Sequence, residues 1–483
     1  MNPLLLTDGY KVDHRRQYPE GTTLVYSNWT PRKSRIEGVN EVVFFGLQYF
    51  IKKYIIEDFE KHFFGQPKDK ILKEYARRIN NYLGPNEVGV EHIAALHDLG
   101  YIPMIFKALP EGVVVPMRVP MFTMYNTKPE FFWLTNYFET LLSAVVWMPC
   151  TSATIARQYR KILDRYAAET SSTPDFVNWQ AHDFSMRGMA GIEASIISGM
   201  GHLLSFTGTD TIPAIDVLER YYHADSDAEL IGGSVAATEH SVMCMGTTEG
   251  EFDTFKRLIC DLYPKGIVSI VSDTWDLWKV LTDYLPRLKN EISTREGRVV
   301  IRPDSGDPVD IICGNANGKT EVECKGVIEL LWDVFGGSVN AKGYKELIPQ
   351  IAAIYGDSIT LQRAEEICSR LKLKGFASTN VILGIGSYTY QYNTRDTFGF
   401  AMKATYGEVN GEGRAIFKDP ITDDGTKKSA KGLMKITLEN GAYKLTDNVA
   451  WEDEKQGELV EIFQDGKLLV DWTLADIRKR MKG

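Results

Sequence analysis

The sequence predicts an α/β fold. An irregular (β/α) barrel spans residues 151–389, and the flanks 1–150 and 390–483 build one composite α+β domain around it. Three observations carry this reading. Seven apolar stretches in the middle of the chain each stop at a polar residue. Most successive stops fall about 27 to 33 residues apart. Helix-compatible runs such as "GEFDTFKRLICDLY" fill the intervals, as βα units require.

The stretches are "FVNWQAHDF", "LLSFTGTD", "SVAATEH", "IVSIVSD", "RVVIRPD", "IAAIYGD" and "NVILGIGS". One gap, between Asp304 and Asp357, runs to about fifty residues and reads as an inserted segment. Apolar strand bodies with polar C-terminal tips describe a barrel whose chemistry sits at the tip face. A doubly wound open sheet gives the same signature, and spacing alone leaves both open.

The flanks differ in character. "FFGLQYFIKKYIIEDFEKHF" and "EFFWLTNYFETLLSAVVW" have the length and apolar density of buried helices. Pro116 and Pro120 mark "EGVVVPMRVPMFTMYNT", which places that run at a sheet edge or in a small sheet. Beyond residue 390, "KATYGEVNGEGRAIF" and "MKITLENGAYKLT" read as strands joined by Asn-Gly turns, and "KLLVDWT" as a further short strand.

Bulk properties narrow the partners. A chain of 483 residues with net charge −9 has no general basic footprint, so nucleic acid is not an expected partner. No apolar run reaches the length of a membrane span and no signal-like segment opens the chain, so a cytoplasmic protein is expected. The six cysteines are scattered without a CxxC pair and read as buried reduced thiols.

The tips gather His182, Asp183, Phe184 and Arg187 from the first stretch, Asp210 from the second, and Glu239 with His240 from the third. Asp273, Arg302 with Asp304, and Gly356 with Asp357 follow. The last stretch adds Gly384 and Gly386, with Arg395 beyond. Backbone donors and arginines suit a phosphorylated ligand, and clustered acids suit ribose hydroxyls and hydrated Mg²⁺. No Walker loop or dinucleotide fingerprint is present. Taken singly, a strand-end aspartate is usually a helix cap or turn former. Seven polar tips in register are not explained that way.

These residues resemble those of the nicotinamide phosphoribosyltransferases, type II enzymes of the nicotinate phosphoribosyltransferase-like superfamily. The likeness runs from "LLLTDGYKVDHRRQYP" through "HDFSMRG", "FTGTDT", "AATEHS", "VSDTWD", "IRPDSG", "YGDSI" and "NTRD" to "FKDP". It implies transfer of the 5-phosphoribosyl group of 5-phosphoribosyl 1-pyrophosphate (PRPP) to nicotinamide, in NAD salvage. It also implies Mg²⁺ bound with PRPP, and ATP as a coupling co-substrate acting through a phosphohistidine.

The resemblance assigns roles residue by residue. Phe184 stacks one face of the pyridine ring and Tyr10 of a second subunit the other, making a homodimer with shared sites. Asp210 accepts the carboxamide N–H, and Arg302 and Asp273 hold ribose, phosphate or amide. Asp304 contacts ribose or orders the Mg²⁺–pyrophosphate region, the metal being held mainly by pyrophosphate. Gly356, Asp357, Gly384 and Gly386 cradle the 5′-phosphate. Arg187, Arg395, Lys403 and Lys418 meet phosphates. His240 is the phosphorylated histidine and Glu239 orients it.

Two departures stand out: Ser387 occupies a place where the family has glycine, and "HDFSMRG" lacks the aromatic that often precedes the arginine. A nicotinate phosphoribosyltransferase is the alternative within the superfamily, and a non-catalytic phosphometabolite-binding protein the alternative outside it. Asp210 argues against the first, since a carboxylate repels nicotinate. The second leaves His240 and the acid set without a purpose.

Overall fold

Each of the seven central stretches supplies one strand of a single parallel sheet. The strands are β1 (Ala181–Asp183), β2 (Gly208–Thr209), β3 (Ala236–Ala237), β4 (Gly266–Val271), β5 (Gly297–Arg302), β6 (Ile351–Tyr355) and β7 (Val381–Ile385). Their order across the sheet is β2-β1-β7-β6-β5-β4-β3, and every pair is parallel. The ring closes where β2 meets the residues leading into β3. Gly208 bridges Gly233 in parallel, Thr209 N–H donates to Gly233 O at 3.0 Å, and Gly233 N–H donates to Thr207 O at 2.8 Å. A cyclic order of this kind is a barrel; a doubly wound sheet keeps two open edges.

This computed structural model describes residues 1–356, 358–417 and 430–482. The chain divides into two units. One contains Met1–Thr154, Val217–Ala224 and Asn393–Gly483, the other Ile155–Asp216 and Asp225–Tyr392. The barrel lies in the second.

Alternation along the strands sets what faces inward. In β5, Val299 and Ile301 are fully buried on one side, while Arg298, Val300 and Arg302 line the barrel interior. Val300, Ala352 and Ile354 cluster there, with Phe184 and Ile382 against them. The interior is not filled: a cavity of about 690 Å³ runs among His182, Phe184, Ser269, Arg298 and Ile382. The fifty-residue gap holds helices Pro308–Cys313 and Glu321–Phe335 and a hairpin of Gly337–Val339 with Lys345–Leu347. Where "FVNWQ" reads as strand, Val177–Gln180 is a helical turn and pairing begins only at Ala181. Four apolar-rich residues do not distinguish the two.

The first unit is built on a seven-stranded sheet. Its order is Glu412–Ala415, Ala401–Val409, Thr22–Thr30, Phe122–Asn126, Met104–Ala108, Val460–Gln464 and Lys467–Leu468. The Asn-Gly turns form as expected, with Asn410 and Asn440 at φ 54° and 52° and glycine following each. The proline-marked run splits. Val114–Pro116 pairs with Glu41–Val43 in a small sheet, but Phe122–Asn126 is central rather than peripheral. Both prolines precede it, so the strand itself loses no ladder donor. Trp29 stacks on Phe122 and Phe400 in this core, at 6.1 and 5.6 Å between ring centroids.

Among the described residues, no single helix is long and apolar enough to cross a membrane. The bent pair Pro129–Tyr137 and Glu139–Thr170 has the length and composition, yet its Leu134, Leu142, Val146 and Leu163 are buried within the protein. All six cysteines are free; Cys150, Cys313 and Cys368 are buried as expected, whereas Cys244 is exposed.

Candidate functional site

The C-terminal ends of the strands surround a cleft of about 730 Å³. Phe184, Arg187, Asp210, Glu239, Arg302, Asp304 and Gly356 line it together. Seven of the sequence-predicted residues therefore converge. Phe184, Ala237 and Arg302 also line the interior cavity, so cleft and cavity share a wall.

Asp273 and Asp304 are not helix caps. After β4 the cap is Asp276, which accepts from Lys279 N–H, and Asp273 sits three residues earlier. After β5 the cap is Asp307, accepting from Val309 and Asp310 N–H, and Asp304 precedes it. After β6 the cap is Thr360. Local turn chemistry is satisfied by other residues, which leaves Asp273 and Asp304 to be explained by the site.

Asp273 and Asp304 are linked. Asp304 N–H donates to Asp273 Oδ2 at 2.9 Å, while Asp273 Oδ1 is buried without a hydrogen bond. His240 Nε2 lies 3.6 Å from that Oδ1, too far for a hydrogen bond but close enough for charge attraction. His240 opens the short helix His240–Met245. Its half-exposed ring follows Glu239, whose carboxylate accepts from Ser241 Oγ rather than capping the helix.

Arg302 projects from the end of β5 and donates to Thr238 O at 2.5 Å. Burial pulls its guanidinium down from the ordinary arginine value, and Asp304 and Asp210 offset part of that. At Asp210 burial pushes upward, but hydrogen bonds from His182 and Ser234 with the charge of Arg302 leave the carboxyl below its ordinary value. It is therefore ionised near neutrality.

Two glycines have steric reasons. A Cβ on Gly356 would lie 2.5 Å from Asp304 Oδ1, so glycine here leaves room for that carboxylate. Gly384 lies within β7, and a Cβ there would come within 2.6 Å of Tyr355 O. Its smallness serves the packing of β7 on β6. Gly386 directly precedes the short helix Ser387–Gln391. Ser387 packs on Gly188, where a Cβ would lie 2.5 Å from that of Ser387.

Tyr10, Arg395 and Lys403 belong to the first unit. Tyr10 is 63% exposed, edge-on to His14 and beside the Lys11 ammonium. Arg395 opens a short turn and is half-exposed, near Asp396. Lys403 lies in Ala401–Val409 opposite Asn28. Asp357 and Lys418 lie outside the described residues. Sequence reasoning gave no role to His182, Ser234 or Thr238, which hold Asp210 and Arg302. The first contact arises only through parallel register, which sets His182 beside Gly208.

The model of the "Nicotinate phosphoribosyltransferase (NAPRTase) family" matches residues 179–462, more than half of the chain. The chain belongs to that family. Residues 2–94 also match the model of the "Nicotinamide phosphoribosyltransferase, N-terminal domain". A nicotinamide phosphoribosyltransferase of Acinetobacter baylyi (strain ATCC 33305 / BD413 / ADP1) is 54% identical over 493 residues, covering 100% of this chain and 97% of that protein. One from Mycoplasma pneumoniae (strain ATCC 29342 / M129 / Subtype 1) is 36% identical, covering 89% and 94%. The fold of the family is shared with a nicotinate-nucleotide pyrophosphorylase from Pyrococcus furiosus, at TM-score 0.57 and 13% identity over 99% of this chain and 93% of that one. Human nicotinic acid phosphoribosyltransferase gives TM-score 0.53 at 14% identity, covering 99% of this chain and 93% of that one.

Proposed function

We propose that this enzyme transfers the 5-phosphoribosyl group of PRPP to the ring nitrogen of nicotinamide, giving nicotinamide mononucleotide and pyrophosphate. The observation that carries the reading is one cleft holding an aromatic ring, Phe184, an ionised carboxylate, Asp210, and the Arg302–Asp304 pair. Phe184 stacks the pyridine ring, and Asp210 accepts the carboxamide N–H. Nicotinate, an anion, is repelled by the same carboxylate.

Breaking the bond from C1 to pyrophosphate builds positive charge on ribose and negative charge on the leaving group. Asp304 and Asp273 stabilise the sugar side, and Arg187 and Arg302 bind phosphates. Nicotinamide is already nucleophilic at its ring nitrogen, so positioning does most of the work. The buried Oδ1 of Asp273, which accepts no hydrogen bond, lies next to Asp304 and suits Mg²⁺ arriving with PRPP; these two carboxylates would hold it or its water shell. Bound there, the ion supplies neutralisation of the pyrophosphate charge.

His240 is the residue phosphorylated by ATP, with Asp273 on one side and Glu239 preceding it. The exposed Tyr10, with Arg395 and Lys403, completes the site of a second subunit in a homodimer. Six free thiols support a reducing, cytoplasmic setting. The test is mononucleotide formation by the purified protein from PRPP, Mg²⁺ and nicotinamide, with and without ATP. No product under either condition would rule the transferase reading out.

A further inference from the structure

Asp210 does not meet the cleft alone. His182 Nε2 lies 2.8 Å from Asp210 Oδ1. An ionised carboxylate only accepts, so Nε2 carries the hydrogen and donates it. The contact follows from register: β1 pairs with β2 as His182↔Gly208, and Asp210 lies two residues beyond Gly208, on the same face.

The imidazole is closely packed, although it also borders the interior cavity. It is 8% exposed, and its centroid lies 4.5 Å from that of Phe184. Gly208 makes room for it, since a Cβ there would lie 2.8 Å from His182 Nδ1. Gly208 is itself pinned: His202 Nε2 donates to its carbonyl at 3.0 Å, and Tyr390 O–H donates to His202 Nδ1 at 2.7 Å. Asp210 is fixed at its backbone too, where its N–H donates to Asp183 O at 2.9 Å. A rigid donor thus meets one oxygen of a carboxylate whose side chain is 45% exposed to the cleft.

We propose that His182 is a positioning residue for base selection, its Nε2–H occupying Asp210 Oδ1 so that Oδ2 is presented to the carboxamide N–H of nicotinamide. This rests on Asp210 being the carboxamide acceptor. Without the donor, the carboxylate keeps its charge but is held by Ser234 alone, so the amide loses a pre-aligned acceptor while nicotinate is still repelled. Loss of Asp210 therefore relieves nicotinate, whereas loss of His182 leaves it unchanged.

The test compares His182→Phe, which keeps a ring without a donor, with His182→Gln, whose amide nitrogen reaches near the Nε2 position. Both are measured beside Asp210→Ser and the double variant, using nicotinamide and nicotinate in turn. His182→Phe should raise KM for nicotinamide about tenfold. Its KM for PRPP and its Tm should stay near wild type, with no gain for nicotinate. His182→Gln should recover most of the loss, and His182→Phe should add nothing in the Asp210→Ser background. His182→Met is a second donor-free variant should the phenyl ring not fit.

An unchanged nicotinamide KM in the donor-free variants overturns the positioning role, as does the same loss with Asp210 absent. A loss shared equally by PRPP with a lowered Tm also overturns it. If Asp210→Ser leaves base preference unchanged, the acceptor reading fails and this proposal with it. A shifted preference in Asp210→Ser beside wild-type behaviour in His182→Phe removes the positioning role alone.

Discussion

Replacing Asp210 by serine separates a selector from a structural aspartate. The carboxylate takes hydrogen bonds from His182 and Ser234 and faces the cleft with 45% of its side chain exposed. The amide of nicotinamide adds a charge-assisted bond, and losing such a bond costs about 1.5–3 kcal/mol. That is about 10- to 150-fold in kcat/KM for nicotinamide. Nicotinate gains, because two like charges about 4 Å apart repel by about 1 kcal/mol even at the dielectric of water. At that half-exposed position the gain is about fivefold. The backbone bond from Asp210 N–H to Asp183 O survives the change, so Tm should move by no more than about 2 °C. Steady-state kinetics with each base, plus a melting curve, reads all three quantities. Equal losses for both bases with a lowered Tm would refute the selector role and leave a turn-forming aspartate.

Other consequences are equally open to measurement. His240→Ala should abolish ATP-stimulated synthesis but leave slow ATP-independent synthesis, and the wild type should carry acid-labile phosphate after ATP treatment. Mixing Tyr10→Ala with Asp304→Ala chains should restore activity in heterodimers; heterodimers without activity would contradict shared sites. Gly356→Ala puts a Cβ 2.5 Å from Asp304 Oδ1, so kcat should fall, on the scale of about 100-fold for an ångström of misplacement, with Tm little changed. In the first unit, burial pushes the Glu111 carboxyl up to about 7 from 4.5, beside the Gln48 N–H that it accepts. The folded protein then holds a proton that the unfolded chain releases, so stability falls as pH rises from about 4.5 to about 7, by at most about 3 kcal/mol. Glu111→Gln should flatten Tm across that window.

The barrel was legible because its longer strands carry continuous apolar runs, while the site interrupts each run at its tip. Even β2 and β3, two residues each, were signalled by Asp210 and by Glu239 with His240. What the sequence hid was local competition. Val177–Gln180 is as apolar as a strand but helical, and Phe122–Asn126 sits centrally because Pro116 and Pro120 lie before it. Closure of the ring depends on a Gly208–Gly233 bridge that no pattern announces. In the site, Asp273 and Asp304 could be picked out as strand tips. The neighbouring caps Asp276 and Asp307 that free them from turn duty show only in the folded chain. His182 was visible as a tip residue, but its partner lies 28 positions away and meets it only through parallel register.

Selection of nicotinamide as phosphoribosyl acceptor by this cleft is tested by competition. Nicotinamide and nicotinate at equal concentration, with PRPP and Mg²⁺ in one reaction, give two mononucleotides separable by mass. Their initial ratio is the ratio of the two kcat/KM values. The ionised Asp210 beside Phe184 predicts an excess of nicotinamide mononucleotide of at least about tenfold. Equal amounts, or an excess of nicotinate mononucleotide, would contradict it.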